Sequence, residues 1–212
     1  MRGLYLVTDR ELIGGRRLED VVLAAVDGGA SCVQLREKQA TTREFVEVAR
    51  RLRPLLAARR VPLLINDRVD VALAVGADGV HLGQQDLDPR TARRLLGADA
   101  VIGLSVESDD DVADAEHLDV DYVGVSPVFD TPTKRDTRTA WGLDGLARVR
   151  RRSHHELVAI GGLHAGNAAA AVAAGADAVA VVSAVCAAPD PRRAAAALVA
   201  QLRTGPVTGR RG

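Results

Sequence analysis

The sequence predicts a single-domain α/β chain closed into a (β/α)8 barrel, and three observations predict it. Short β-rich runs alternate with helix-patterned segments over almost the whole length. One phrase recurs, as "GGASCVQL", "VGADGVHL" and "AGADAVAV", with a looser copy in "LDVDYVGV". Polar side chains gather just after the apolar runs rather than inside them, as in "LLIND", Leu63 to Asp67.

The strands, in order, are "LYLVTD" from Leu4, "CVQLRE" from Cys32, "PLLIND" from Pro62 and "GVHLG" from Gly79, then "VIGLSV" from Val101, "YVGVSPV" from Tyr122, "LVAIGG" from Leu157 and "AVAVVSA" from Ala178. Their interiors are apolar on both faces, the signature of a parallel sheet covered by helices. Of the intervening helices, "TTREFVEVARRLRPLLAARR" is the clearest. Phe45, Val48, Ala49, Leu52, Leu55 and Leu56 share one face, arginines and glutamates hold the other, and Thr41 or Thr42 caps the start.

The recurring phrase reads as a helix ending on glycine, a short turn and a buried strand, which is a βα unit. Eight such units in about 200 residues meet the lower size limit of a TIM barrel. A doubly wound open sheet competes, but "LVTDRELIGG" lacks the glycine-rich turn expected after its first strand. The barrel is expected over residues 1–204, with 205–212 a disordered tail.

Bulk composition narrows the function. The 212 residues are 47% hydrophobic, enough for one sizeable core. Lys plus Arg equals Asp plus Glu at 28 each, which argues against capture of nucleic acid or an anionic membrane surface. Aromatic residues are only 2%, too few for base-stacking platforms. Cys32 and Cys186 lie in apolar runs and read as buried free thiols in a reducing cytoplasm. The N-terminus has no signal-peptide pattern. Ala168 to Ala188 is alanine-rich and broken by "GAD", so no membrane span is expected.

In a barrel the chemistry gathers at the carboxyl ends of the strands. Those ends carry Asp9; Gln34, Arg36, Glu37 and Lys38; Asn66 and Asp67; Gln84, Gln85 and Asp86; Ser105; the "DTPTKRD" loop; Gly161 and Gly162; and Ser183. Arg36, Lys38 and Lys134 suit phosphate oxygens. Asp67 and Asp86 beside them would repel a bare polyphosphate unless a divalent cation lay between. A diphosphate with Mg²⁺ is therefore expected. Small residues in "AIGGLHAGN" and "AVVSAV" fit a second phosphate, although the glycines equally fit tight turns. Thr131, Pro132 and Thr133 place two hydroxyls about a conformationally limited proline.

Taken together, "VQLREK", "LINDRVDVALAVGADGVHLGQQD", "GLSV", "SPVFDTPTK", "AIGGL" and "AVVSAV", in this order, resemble the thiamine-phosphate synthase family over nearly the whole folded length. The resemblance implies a transferase that joins 4-amino-2-methyl-5-hydroxymethylpyrimidine diphosphate to 4-methyl-5-hydroxyethylthiazole phosphate, releasing pyrophosphate. It implies that Gln34, Leu35, Arg36, Glu37, Lys38 and Asn66 contact the pyrimidine diphosphate, with Ser105 and Lys134. Asp67 and Asp86 would bind Mg²⁺. Thr131, Pro132, Thr133, Gly162, Val182 and Ser183 would hold the thiazole phosphate. Arg36, Lys38, Ser105 and Lys134 are the expected catalytic set. Gln39 stands where the family commonly has glycine.

The expected chemistry is a dissociative substitution in which the aminopyrimidine delocalises the cation left by pyrophosphate, and no enzymic nucleophile is needed. Plainer readings stand beside it. Asp67 and Asp86 could cap helices, and Arg36 and Lys38 could be rim charges paired with Glu37. His81 reads as a satisfied structural histidine. The acidic run Glu107 to Glu116 reads as a solvated helix start, and His154 and His155 as surface. Two rival functions remain: the related thiazole tautomerase, which needs no metal-bound diphosphate, and a non-catalytic phosphate-ligand sensor.

Overall fold

The computed structural model describes residues 1–131 and 140–204, so the expectations for Pro132, Thr133, Lys134 and the 205–212 tail lie outside the described residues. The strands are β1 (Gly3–Val7), β2 (Ala30–Leu35), β3 (Leu63–Asn66), β4 (Gly79–Leu82), β5 (Val101–Val106), β6 (Tyr122–Val125), β7 (Glu156–Ile160) and β8 (Ala178–Val181). They pair in chain order, every pair parallel, and β8 returns to β1. Closure excludes the open sheet and confirms the (β/α)8 barrel.

Helices follow the strands: α1 (Leu18–Asp27), α2 (Thr42–Ala57), α3 (Val69–Val75), α4 (Pro89–Leu96), α5 (Asp109–Ala115), α6 (Gly142–Arg152), α7 (Ala168–Ala173), the single turn α8 (Ser183–Cys186) and α9 (Pro191–Thr204). In α2 the predicted face is buried at Phe45, Val48, Ala49, Leu52 and Leu56, while Leu55 stays half-buried. Its cap is Thr41, whose hydroxyl accepts from the Glu44 amide at 3.3 Å while the Glu44 carboxylate accepts from the Thr41 amide at 2.8 Å. No helix among the described residues is long and apolar enough to cross a membrane.

Strand alternation divides the core in two. Leu4, Leu6, Val33, Leu35, Leu63, Ile65 and their equivalents fill the layer between sheet and helices. Tyr5, Val7, Cys32, Leu64, Tyr122, Val158, Ala178 and Ala180 fill the barrel itself. The two tyrosines fit because their neighbours are small: a Cβ on Gly103 would lie 2.1 Å from Tyr122 Cζ. Cys32 and Cys186 are buried free thiols, and burial pushes Cys186 up to about 11.

The recurring phrase has a structural meaning. Asp78 Oδ2 accepts from the Leu63 amide at 2.8 Å, Asp121 Oδ2 from the Ile102 amide at 2.7 Å and Asp177 Oδ2 from the Leu157 amide at 2.8 Å. In the first copy Ser31 takes that place, and its hydroxyl donates to the Leu4 carbonyl at 3.0 Å. Each copy thus clasps the strand it begins to the start of the strand before, joining β1–β2, β3–β4, β5–β6 and β7–β8 on the face opposite the carboxyl ends.

Three plainer readings change. Neither Asp67 nor Asp86 caps a helix: the N-cap of α3 is Arg68, which makes no side-chain cap, and Asp88 caps α4 by accepting from the Thr91 amide at 3.0 Å. His155 is buried rather than on the surface, because its Nε2 donates to the Ala115 carbonyl at 2.9 Å, whereas His154 is exposed. The acidic run does open α5 behind the Ser108 cap, yet Glu107 and Asp111 edge the central cavity instead of facing bulk solvent.

Candidate active site

A cavity of about 830 Å³ opens at the carboxyl ends of the strands. Alternation explains its lining. Inward positions near the strand ends carry Gln34, Asn66, His81, Ser105 and Ser126, which would be costly inside a sealed core but here border the open mouth.

Its floor is one hydrogen-bonded chain across the barrel. Gln34 Nε2 donates to the Tyr5 hydroxyl at 2.7 Å, the Tyr5 and Tyr122 hydroxyls are 2.9 Å apart, Tyr122 reaches His81 Nδ1 at 2.9 Å, and His81 Nε2 reaches Ser105 Oγ at 2.9 Å. Gln34 can only donate through its nitrogen, so the arrangement that uses every proton runs Tyr5 to Tyr122 to His81 Nδ1. His81 Nε2–H then donates to Ser105. Burial raises both phenols well above their ordinary value, and the neighbouring Tyr122 raises Tyr5 further, which keeps both hydroxyls protonated.

Charge is confined to the rim. Lys38 Nζ lies 2.5 Å from Asp67 Oδ2, and Asn66 Nδ2 donates to the other Asp67 oxygen. Asp67 adopts a left-handed φ of 63°, and its amide donates to the His81 carbonyl at 2.9 Å. Asp86 Oδ2 accepts from the Gly83 amide at 2.7 Å. The Asp86 carboxyl sits above its ordinary value: partial desolvation raises it and the facing Asp67 carboxylate raises it again, against the Gly83 amide and Lys38. As Asp86 remains open to solvent, that repulsion is screened. Arg36 NH1 lies 3.4 Å from Asp9 Oδ2.

Across the mouth are the ends of β7 and β8. Gly161 and Gly162 have φ of 102° and 62°, and a Cβ on Gly162 would lie 2.8 Å from the Asp130 carbonyl oxygen. The tight-turn demand on these glycines is therefore met in full, whatever else they do. Thr131, Val182 and Ser183 line the same side.

The family model described as "Thiamine monophosphate synthase" matches residues 4–185 of this chain. The chain belongs to that family. A thiamine-phosphate synthase from Albidiferax ferrireducens is 61% identical over 188 residues, covering 89% of this chain and 86% of its own. One from Leptospira biflexa is 52% identical over 202 residues, covering 93% and 96%. Among solved structures, the thiamine phosphate pyrophosphorylase from Pyrococcus furiosus superposes with a TM-score of 0.87 at 38% identity, covering 95% of each chain. As a member of the thiamine monophosphate synthase family, the protein is an enzyme of the transferase class.

Of the residues singled out in the sequence, the fold brings Gln34, Arg36, Lys38, Asn66, Asp67, Asp86, Ser105, Thr131, Gly162, Val182 and Ser183 to one cavity. Three of the described ones do not line it: Asp9, Leu35 and Glu37. Leu35 is fully buried between sheet and helices, because strand alternation turns it away from Gln34, so only its main chain is near the mouth. Glu37 turns outward to a bidentate pair with Arg10, at 2.8 and 3.1 Å, and does not bridge Arg36 and Lys38. Residue 39 is not among the described residues with positive φ, so Gln39 fits without strain, and its amide donates to Glu11 at 2.8 Å. His81 is satisfied as expected but lies in the cavity floor. Tyr5 and Tyr122 went unrecognised in the sequence, although both fall on inward positions of their strands.

Proposed function

We propose that the protein is a thiamine-phosphate synthase that condenses 4-amino-2-methyl-5-hydroxymethylpyrimidine diphosphate with 4-methyl-5-hydroxyethylthiazole phosphate. The carbon–oxygen bond from the pyrimidine methylene to the diphosphate breaks, and pyrophosphate leaves with the electron pair. A bond from the thiazole nitrogen to that methylene forms, giving thiamine phosphate with no net oxidation or reduction. The observation that carries the reading is the facing pair Asp67 and Asp86 with Lys38 and Arg36 on the same rim.

The carboxylate pair fits Mg²⁺. Two hard oxygen donors on one solvent-open rim, with Asp67 raising the proton affinity of Asp86, match an ion that keeps several waters and takes one or two carboxylates. Bound there, Mg²⁺ would supply positive charge against the departing diphosphate.

The chain's own residues do the rest. Arg36 and Lys38 hold the diphosphate oxygens, and Lys38 must leave Asp67 to do so. Lys134, outside the described residues, joins them by family resemblance. The hydrogen-bonded floor of Gln34, Tyr5, Tyr122 and His81 offers fixed hydrogen bonds to a flat heterocycle and no phenolate to trap its cation. Gly162, Val182 and Ser183, with Thr131, hold the thiazole phosphate on the far rim, which aims the ring nitrogen at the methylene. The tautomerase and sensor readings leave the Asp67–Asp86 pair without a purpose. The two unpaired buried thiols support a cytoplasmic location.

Incubation of the full chain with both substrates and Mg²⁺ tests the proposal. Stoichiometric thiamine phosphate and pyrophosphate are expected, with loss of both on adding chelator and recovery with excess Mg²⁺. Full activity in chelator would remove the metal from the mechanism, and pyrophosphate without thiamine phosphate would remove the condensation.

A further inference from the structure

On the amino-terminal face of the barrel, remote from the mouth, three metal-ligating side chains converge. Glu116 follows α5, and His154 and His155 lead into β7. All strands are parallel, so the segments entering β6 and β7 sit at the end opposite the cavity, whose lining includes none of the three. One ligand atom from each residue lies within 4.8 Å of the other two. The two imidazole centroids are 4.1 Å apart.

The hydrogen bonds prepare these groups without using them up. His155 Nε2 donates to the Ala115 carbonyl at 2.9 Å, which fixes the buried ring and leaves the lone pair of its neutral form on Nδ1. A backbone carbonyl on the second nitrogen is the usual support of a ligating histidine. Glu116 Oε2 accepts from the His154 amide at 3.0 Å and pairs with His154 Nδ1. Glu116 Oε1 is buried with no hydrogen-bond partner, although Ser153 also faces this carboxyl. A simple ion pair explains one carboxylate oxygen and one ring. It does not explain the second ring or the orphaned oxygen.

We propose that Glu116, His154 and His155 form a second metal site, one for a borderline divalent transition ion of the Zn²⁺ class. Two imidazoles and one carboxylate select such an ion over Mg²⁺, which prefers oxygen donors. Bonds of about 2.0–2.2 Å in a tetrahedron place donors roughly 3.3 Å apart, and the three ligand atoms already lie within 4.8 Å of one another, so small side-chain rotations close the cluster. The ion takes the place of the direct contact between His154 and Glu116, and a water completes the shell. It ties the end of α5 to the start of β7, and its effect is on stability, not on the mouth.

The test is calorimetric titration of the metal-stripped full chain with Zn²⁺ in millimolar Mg²⁺, beside visible spectra with Co²⁺. One equivalent of Zn²⁺ is expected, with Co²⁺ bands typical of nitrogen ligation and a raised Tm. His154→Ala, chosen because the ring is exposed, and Glu116→Gln should each weaken binding at least tenfold and abolish the Tm shift. The Asp67→Asn/Asp86→Asn double variant should bind as the parent does. Unchanged binding in both His154→Ala and Glu116→Gln, or no binding by the parent, would overturn the site. Loss of binding in the double variant would assign the ion to the mouth instead. Neither outcome depends on catalysis, so the synthase reading stands or falls separately.

Discussion

Lys38 and Asp67 form an ion pair across the rim, with Nζ 2.5 Å from Oδ2, and the same Asp67 carboxylate faces Asp86. One lysine thus neutralises one of two crowded carboxylates. On the proposed reaction, a diphosphate with its cation would offer both groups better partners: phosphate oxygens for the ammonium and the ion for the carboxylates. Without substrate, Asp86 has, among the described residues, no cation of its own on this rim beyond the lysine that Asp67 already holds.

Asp67 is the sharper target for substitution. Its φ of 63° is tolerated by asparagine and disfavoured for alanine, so Asp67→Asn removes charge while keeping the backbone. Turnover at saturating substrates and Mg²⁺ should fall about 10²-fold or more, with an unchanged melting curve. Asp67→Ala should lose the same activity and in addition about 1–2 kcal/mol of stability from backbone strain. Near-parental turnover in Asp67→Asn would take this carboxylate out of the reaction.

Asp86 links pH to stability. Its folded value lies above the ordinary 3.8, so between the two values the native state holds the proton longer than the unfolded chain. Stability contributed at this site is therefore highest at low pH and falls as pH rises through that window, remaining reduced above it. Asp86→Asn should make the metal-free protein more stable at neutral pH and flatten this pH dependence, while turnover drops. Mg²⁺ should raise the Tm of the parent but not of the variant. Urea melts at several pH values, with and without Mg²⁺, measure both.

Gly103 makes room for Tyr122. An added methyl would lie 2.1 Å from Tyr122 Cζ, so Gly103→Ala must displace the ring and break the floor from Tyr5 to His81. A loss of about 1–3 kcal/mol is expected from overpacking, together with a raised KM for the pyrimidine substrate. Equal stability of the variant and the parent would show that the barrel interior yields more easily than this packing implies.

Asp177 separates architecture from chemistry. It accepts from the Leu157 amide at 2.8 Å and from Arg150 at 3.0 Å, on the face away from the mouth. Asp177→Ala strands both donors and should cost about 1–3 kcal/mol, leaving kcat and KM at their parental values below the melting range. A loss of turnover in fully folded protein would contradict that division between the two faces.

Much of this was legible in the chain itself. Eight βα units, the Thr41 cap, the buried face of α2 and the polar strand ends all depend on neighbours a few residues away, and the sequence displays such periodicity directly. The "GAD" repeat was visible as a repeat. Its purpose was not, because the amide that Asp78 holds belongs to Leu63, on the strand before. Position in the motif alone assigns Leu35 and Glu37 to the mouth, but alternation sends Leu35 into the outer core, and Arg10, from the loop after β1, draws Glu37 away from the mouth.

What the sequence alone determined is the order of elements, the closure they permit and the set of charged groups delivered to one end. Only the tertiary structure decided which of those groups meet. It joined Tyr5 to Tyr122 across 117 positions and set Asp67 against Asp86. It also brought Glu116 to His154 on the opposite face. The physical reason is that backbone propensity and hydrophobic period act locally, whereas hydrogen bonds and charge pairs form between whatever barrel closure makes adjacent.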